Sequence, residues 1–396
     1  RIVEAGQLRR GEAAAALASV RNIWVHAVSV GEVALVEGII KGLKAGYPGH
    51  QIVLSVTTRT GHAFALRKYA GDALVIWSPL DLSLVVRRFA RLIRPAAYIV
   101  AETELWPNLF RELDHQGVPI ILVNGRISDE AYSRYRAARW FFRGALARME
   151  LVCVQTPLDA DRFMALGADK ARIRVVGNVK FDIPRADLPF DVRKVREGLG
   201  LKEGEKFFVA ASTHPGEEEA ACDAFCAVRA QFPGLRLAIV PRHPERAAGV
   251  GSLVRRKGLS PVFLTGRQAR VLGGNDVLVV DAIGHLFDLY RASDVVFMGK
   301  SLGIPRRGGQ NPIEPASLGR PVITGPHMEN FRDVMRCLRE AAAVIEIGKS
   351  AELAAALREV LGHPERMAGL SARARAVVAQ NRGAADRTVA MIRDIV

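Results

Sequence analysis

Residues 23–32 read IWVHAVSVGE and residues 97–104 read AYIVAETE. Each is a continuous apolar run that ends in a loop carrying glutamate and then gives way to a helical pattern. Unbroken Val/Ile/Leu runs, as opposed to alternating ones, mark strands buried on both faces of a parallel sheet. Reading outward, the pattern predicts strands at Ile23–Ser29, Gln51–Val56, Leu74–Trp77, Ala97–Ala101, Ile120–Asn124 and Leu151–Val154. Between them it predicts helices after Gly31, from Thr60, over Leu82–Ile93, after Trp106 and, as one long element, near Glu130–Ala147. Around Gly177–Phe190 (GNVKFDIPRADLPF) the period lapses, with two prolines, and this stretch is the expected linker. A second βα series follows, with strands predicted at Phe207–Ala211, Leu235–Val240, Val277–Asp281, Asp294–Met298 and Pro321–Thr324. Helices are expected over Ser350–Leu361, over Pro364–Gln380 and from Ala384. The fold class is therefore α/β, with two Rossmann-like doubly wound domains facing a central cleft.

Composition agrees with that reading. A chain of 396 residues that is 49% hydrophobic and 24% charged, with mean hydropathy +0.10, is neither disordered nor low-complexity. No run approaches the ~18 uncharged apolar residues needed to span a bilayer. The chain begins at Arg1 and not at Met, which leaves room for a lost N-terminal anchor or signal. Lys and Arg number 56 against 41 Asp and Glu, a net +15. The excess is spread over both halves, 25 against 17 up to Pro184 and 31 against 24 beyond it. Such a surface suits nucleic acid, anionic lipid or a phosphorylated substrate. Cys153, Cys222, Cys226 and Cys337 lie in predicted strands or helices with no second pair to complete a zinc set, and read as reduced thiols of a cytoplasmic protein.

Ligands of open α/β sheets bind at the carboxyl ends of strands, and the informative residues recur there. After the first strand, Gly31 permits close backbone approach and Glu32 falls in the first turn of a helix, where the dipole favours a carboxylate. That carboxylate could accept a proton from a sugar hydroxyl, or simply be a favourable N-terminal glutamate. Glu102 and Glu104, beside Trp106-Pro107-Asn108, suit a polyol or could cap the helix begun at Pro107. Asp159-Ala-Asp161 has the DxD spacing of some metal-dependent glycosyltransferases but follows Thr156-Pro157 and reads as early-helix acid, so no metal is expected. In the second half, Ser212-Thr213-His214-Pro215-Gly216-Glu217 offers hydroxyls and free N–H groups at a helix start, a natural anion site. Pro241-Arg242-His243-Pro244 and Asp281-Ala282-Ile283-Gly284-His285 follow the next strands. In Arg306-Arg307-Gly308-Gly309-Gln310-Asn311-Pro312-Ile313-Glu314, Asn311, Pro312 and Glu314 fit N-cap, N1 and N3. The arginines and glycines ahead of that cap need a ligand, a phosphate or nucleotide.

The sequence holds no GxxxxGK[ST], no GxGxxG after the first strand and no HExxH. Basic residues interleave with aromatics over Arg134–Arg143, including Arg136, Arg139 and Arg143, and again over Arg87–Arg94. Both read as helices with a cationic face suited to an anionic membrane, or as solvated basic faces.

Together these loops resemble the 3-deoxy-D-manno-octulosonic acid (Kdo) transferases of lipid A and lipopolysaccharide biosynthesis. The matching pieces are HAVSVGE at 26–32, TTRTG at 57–61, AETELWPN at 101–108 and GNVKFD at 177–182, then STHPGEE at 212–218, PRHPER at 241–246, RGGQNPIEPA at 307–316 and GPHMENF at 325–331. They run in order over nearly the whole chain. The resemblance implies a GT-B fold: an N-terminal domain over 1–178 on the acceptor side, a C-terminal donor domain over 179–380, and a final helix over 381–396 returning to the first. It implies inverting, metal-independent transfer of Kdo from CMP-Kdo to lipid IVA, with no cofactor, at the cytoplasmic side of the inner membrane, peripherally or through an N-terminal anchor that precedes this chain.

By position, the resemblance makes Glu32 the general base and Glu102 and Lys180 the groups that stabilise the transition state. Pro241, Arg242, Ile283, Gly284, His285, Asn311, Pro312, Ile313 and Glu314 become CMP contacts. Ser212, Thr213, His214, Gly308 and Gly309 are candidates for holding the donor's anionic groups. Arg59, Arg136, Arg139 and Arg143 are candidates on the acceptor and membrane side. Two positions depart from the common pattern: His285 stands where Glu is frequent, and Gln310 where His is frequent. A monophosphate leaving group suits helix N-termini and Arg/Lys without Mg²⁺. The nearest rival is another GT-B nucleotide-sugar transferase or a UDP-sugar epimerase. A nucleic-acid module rests on net charge alone, and Glu32, Glu102 and Glu104 would repel phosphates, so no nucleic-acid partner is expected.

Overall fold

The structure is a computed structural model that describes residues 17, 20–182, 191–266, 272–303 and 308–396. The chain divides into two compact units, 1–182 with 381–396, and 183–380. Val179 and Phe181 are buried, and Val179 packs in the first unit's core with Val176. That unit therefore extends four residues past the expected boundary at 178. Arg306 and Arg307, and the end of the expected linker, lie outside the described residues.

In the first unit, β1 (Arg21–Ala27), β2 (His50–Val56), β3 (Leu74–Trp77), β4 (Pro95–Ala101), β5 (Ile120–Gly125), β6 (Met149–Val154) and β7 (Ile173–Val175) form one parallel sheet in the order β3-β2-β1-β4-β5-β6-β7. Side chains alternate between two covered faces. Ile23, Val25 and Ala27 meet the helices Val30–Leu35, Glu37–Gly46 and Ala384–Arg393. Trp24, with Tyr98 and Val100 of β4, meets the helices Ser83–Ile93, Pro107–His115 and Arg139–Leu146. This two-sided burial is why the strands read as unbroken apolar runs.

The last helix seats against Glu37–Gly46 through small residues one turn apart. A Cβ at Gly42 would stand 2.7 Å from Val389, and one at Gly38 would meet Ala385 at 3.0 Å. The Asp182 carboxylate accepts the N–H groups of Gly383 (2.6 Å) and Ala385 (2.7 Å), satisfying donors at that helix's start.

The second unit carries β8 (Lys206–Thr213), β9 (Leu235–Pro241), β10 (Ser260–Phe263), β11 (Asp276–Val279), β12 (Val295–Met298), β13 (Val322–Thr324) and β14 (Ile345–Glu346), all parallel, in the order β10-β11-β9-β8-β12-β13-β14. Its core joins Phe208, Leu237, Val277 and Phe297 of the sheet to Phe225, Val254 and Leu357 of the helices. In each unit the strand order reverses beside the first strand, at β1/β4 and at β8/β12, and ligands of open α/β sheets bind at such points.

The single helix expected over Glu130–Ala147 is two, Asp129–Ala137 and Arg139–Leu146, parted at Ala138 (φ −105, ψ 27). The break lets Tyr135 and Phe142 bring their rings to 4.5 Å. The short strands β7, β10 and β14 went unread.

Candidate active site

At the first unit's switch point, Ser29 caps the helix Val30–Leu35 and Glu32 stands in its first turn. Glu32 Oε2 accepts the Val28 N–H at 2.8 Å, and the Ser29 hydroxyl donates to Oε1 at 3.1 Å. A reciprocal cap of this kind fixes the carboxylate's direction. Glu32 is only 9% exposed, and burial pushes its pKa from 4.5 to about 7, with the charges of Glu102 and Glu104 adding to the rise. The neighbouring loop is fitted closely beneath it: Thr58 Oγ1 donates to the Val28 carbonyl at 2.9 Å, and a Cβ on Gly61 would lie 3.1 Å from the Ser29 carbonyl carbon. Arg59, one residue on, is exposed. His26 is buried on β1, hydrogen-bonded to Ser55 at 2.9 Å, and burial lowers it to about 4, so it is neutral.

Across the switch point, Glu102 leaves β4 in a left-handed backbone conformation (φ 55). Lys180 Nζ stands 3.6 Å from Glu102 Oε1. Glu104 is raised in pKa by burial and by Glu102. Neither glutamate caps the helix Pro107–His115. Asp81 does so, accepting the N–H groups of Asn108 (3.1 Å) and Leu109 (2.8 Å), and this leaves both glutamates for other work.

Lys180 is positioned by a residue that the sequence reading missed. Asn124, at the end of β5 with φ 56, accepts the Val179 N–H through its side chain at 3.0 Å, and Asn178 accepts the Lys180 N–H at 2.9 Å. A polar residue next to glycine at a strand end was the available signal. Asp159 is an early-helix acid, as expected: Thr156 donates to it at 2.6 Å and the Ile127 N–H at 3.0 Å. Among the described residues, no cluster of three or more His, Cys, Asp or Glu has the geometry to hold a metal.

On the helices after β5, Arg136, Arg139 and Arg143 are exposed, as are Trp140 (81%) and Phe141 (46%). Leu80, Leu82 and Leu84 are exposed as well. Arg87, in the other basic cluster, pairs with Glu112 at 3.3 Å, so that face is partly neutralised.

The second unit corrects two expectations. The loop Ser212–Gly216 has two of its donors already engaged: the His214 N–H donates to Glu217 at 2.9 Å, and the Thr213 hydroxyl to Glu218 at 3.0 Å. Glu218 also takes Arg246 at 2.7 Å. Nor do Gly308 and Gly309 need a ligand to explain them. A Cβ on Gly308 would fall 2.6 Å from the carbonyl oxygens of both His327 and Lys300, and its N–H donates to Glu329 at 2.8 Å. Gly309 has φ 90, with Met328 packed against it. These glycines let two loops pass backbone to backbone.

The other candidates stand at strand ends. Pro241 is buried, and Arg242 is exposed with its N–H on the Thr213 carbonyl at 3.0 Å. Ile283 (86% exposed), Gly284 (φ 102) and His285 form a solvent-facing loop past β11. Asn311 caps from one residue ahead of Pro312, the formal N-cap of the helix Ile313–Ser317. Its Oδ1 accepts the Ile313 N–H at 3.0 Å, and its Nδ2 meets Glu314 at 3.3 Å, while Pro312 bonds to neither.

Residues 5–183 match the family described as 3-deoxy-D-manno-octulosonic-acid transferase (kdotransferase). The 3-deoxy-D-manno-octulosonic acid transferase of Haemophilus influenzae is 32% identical over 376 residues, covering 94% of this chain and 87% of that protein. The chain belongs to the Kdo transferase family. The Bordetella pertussis member is 33% identical over 384 residues, with the same two coverages of 94% and 87%. This Kdo transferase is thus a glycosyltransferase of lipopolysaccharide biosynthesis. A solved UDP-GlcNAc 2-epimerase from Neisseria meningitidis superposes over 94% of this chain and 99% of its own, with TM-score 0.62 at 11% identity, a likeness of fold alone. The Kdo transferase accordingly has the two-domain α/β architecture of the GT-B class. Among its described residues no helix is long and apolar enough to cross a membrane.

Proposed function

We propose that this Kdo transferase moves Kdo from CMP-Kdo to lipid IVA, with inversion and without a metal, at the cytoplasmic face of the inner membrane. The observation that carries the reading is Glu32: a carboxylate oriented by two hydrogen bonds, with its pKa raised to about 7, fits a general base poised at operating pH. The acceptor hydroxyl oxygen bonds to the anomeric carbon, its proton passes to Glu32, and the bond to the phosphate oxygen breaks with its electron pair leaving on CMP. Glu102, ion-paired with Lys180, faces the positive charge that grows on the anomeric carbon.

The second unit is the donor side. Pro241, Arg242, Ile283–His285 and Asn311–Glu314 are the CMP contacts, bordered by Ser212, Thr213, His214, Gly308 and Gly309. They lie at the carboxyl ends of the strands of one parallel sheet or in the segments that follow them, which supports the assignment. The first unit is the acceptor side, with Arg59 beside the Glu32 loop. Exposed Trp140 and Phe141 among Arg136, Arg139 and Arg143 suit a peripheral contact with anionic lipid. Metal independence is supported by the monophosphate leaving group and by the engagement of Asp159 in capping.

Incubation with CMP-Kdo and lipid IVA, with and without EDTA, followed by mass spectrometry of the lipid, tests the whole reading. A Kdo mass increment in both samples is expected. An unchanged lipid, or an increment lost to EDTA and restored by Mg²⁺, would overturn the acceptor or the metal claim respectively. Calorimetry should find binding of CMP and none of UDP; the reverse would favour a UDP-sugar enzyme.

A further inference from the structure

Ser212 and Lys300, at the ends of the two strands that flank the second unit's switch point, both have left-handed backbone, φ 52 and φ 59. Left-handed backbone is disfavoured for any residue with a Cβ, and it persists only where the surroundings over-determine it. Here they do. The buried Glu217 carboxylate accepts the N–H groups of Lys300 (2.7 Å), Ser301 (2.8 Å) and Leu302 (3.0 Å) as well as that of His214 (2.9 Å). The Lys300 carbonyl accepts the Gly309 N–H at 2.6 Å. A Cβ on Gly299 would stand 2.5 Å from the Ser212 carbonyl oxygen, so the two strand ends touch through their backbones.

The consequence is chemical. The backbone donors at this crevice, which would otherwise bind an anion, are occupied by the protein's own carboxylate. An acidic ligand there must find its positive charge elsewhere. Lys300 is half-buried. Burial lowers the His214 imidazole, the Lys300 charge adds to that fall, and the His243 ring lies 6.3 Å from its own. The backbones of Lys300 and His214 meet at that crevice, because both N–H groups donate to Glu217 Oε2. Glycine would adopt φ 59 without strain, yet the position carries a lysine.

We propose that Lys300 binds the anionic oxygens at the donor's anomeric carbon, the nucleotide phosphate or the sugar carboxylate that share that carbon. The proposal rests on the reading of CMP-Kdo as the donor. It assigns a binding residue that none of the sequence motifs singled out, at a position of left-handed backbone.

The test uses the full chain with Lys300→Gly, Lys300→Met and Lys300→Arg, measuring KM for CMP-Kdo, the Kd of CMP by calorimetry, and Tm. Gly and Met should raise the donor KM by about tenfold or more, as for loss of a charge-assisted contact, while Arg stays within about threefold. The Tm of Lys300→Gly should match or exceed that of the parent, because strain is relieved. A CMP Kd weakened in step with KM assigns the ammonium to the phosphate; an unchanged CMP Kd assigns it to the carboxylate. A donor KM within about twofold of the parent in both Gly and Met overturns the proposal. So does a Lys300→Gly protein that loses activity with a lowered Tm, or an Arg variant as impaired as Met. Failure of the parent itself to bind CMP or use CMP-Kdo overturns the donor reading instead, and so the two failures are distinguishable.

Discussion

Glu32 is held where a carboxylate is uncomfortable, and the discomfort is measurable in two ways. A general base works deprotonated, so kcat/KM should rise with pH through an inflection near 7, the value to which burial pushes this group. Glu32→Gln should lose at least ~10²-fold in turnover with CMP affinity unchanged, and should lose that inflection as well. Near-normal turnover would remove Glu32 from the chemistry. The stability effect has the opposite sense. The folded pKa lies above the unfolded value of 4.5, so the contribution of Glu32 is fully present below pH 4.5 and is lost as pH rises through 7. At pH 8, Glu32→Gln should therefore be more stable than the parent in urea, by up to about 3 kcal/mol, and the gap should close below pH 4.5. No gap at pH 8 would mean that the group is not strained. Asn124 makes a complementary prediction. Asn124→Gly keeps the left-handed backbone but removes the acceptor for the Val179 N–H, so kcat should fall about tenfold through a displaced Lys180 while CMP affinity holds. Glu32 was legible as a first-turn acid at a strand end, a place that equally suits a plain helix-start carboxylate, and only the resemblance made it the base. Asn124 was not, because its role depends on a residue 55 positions away.

At the scale of elements, the buried strands were legible and the interruptions were not. Long apolar runs declare two-sided burial, whereas β7, β10 and β14 are edge or near-edge strands of two to four residues, too short to show a period. The break at Ala138 carries no proline or glycine to announce it, and the meeting of the Tyr135 and Phe142 rings across it has no local signal in the sequence. Gly308 and Gly309 mislead for a similar reason: a close passage of two loops and a phosphate cradle demand the same residue. The helix Arg139–Leu146 sends Phe142, Ala145 and Leu146 inward and leaves Trp140 and Phe141 in solvent between arginines. On an anionic surface each such cation contributes about 1 kcal/mol. The protein should sediment with anionic vesicles and not with neutral ones, and less so as salt rises. Arg136→Ser, Arg139→Ser and Arg143→Ser together, or Trp140→Ser, should weaken that binding and leave CMP affinity alone. Equal sedimentation with both vesicle types would reduce the cluster to a solvated face.

At the scale of the molecule, the two βα series and their division were legible from strand spacing. Where the second series hands back to the first was implied only by resemblance, since the contacts that hold the last helix are long-range. The stripe Gly38, Gly42, Gly46 and the cap from Asp182 fix that helix to the first unit. Deleting Ala384–Val396 should expose Ile39, Leu43 and their neighbours, and leave residues 191–380 as the fragment that survives limited proteolysis. Equal resistance of both units after the deletion would show the helix to be dispensable.

The seating of Ala384–Arg393 in the core begun by β1 also orders events at the ribosome. The strands around β1 cannot close their apolar face until residues 384–393, made later, have emerged, whereas residues 183–380 are contiguous and can complete their core during elongation. At ~5–20 residues per second, the nascent first half waits through the synthesis of some two hundred residues, on the order of ten to forty seconds, with a hydrophobic groove open to any passing holdase or to a sister chain on the same message.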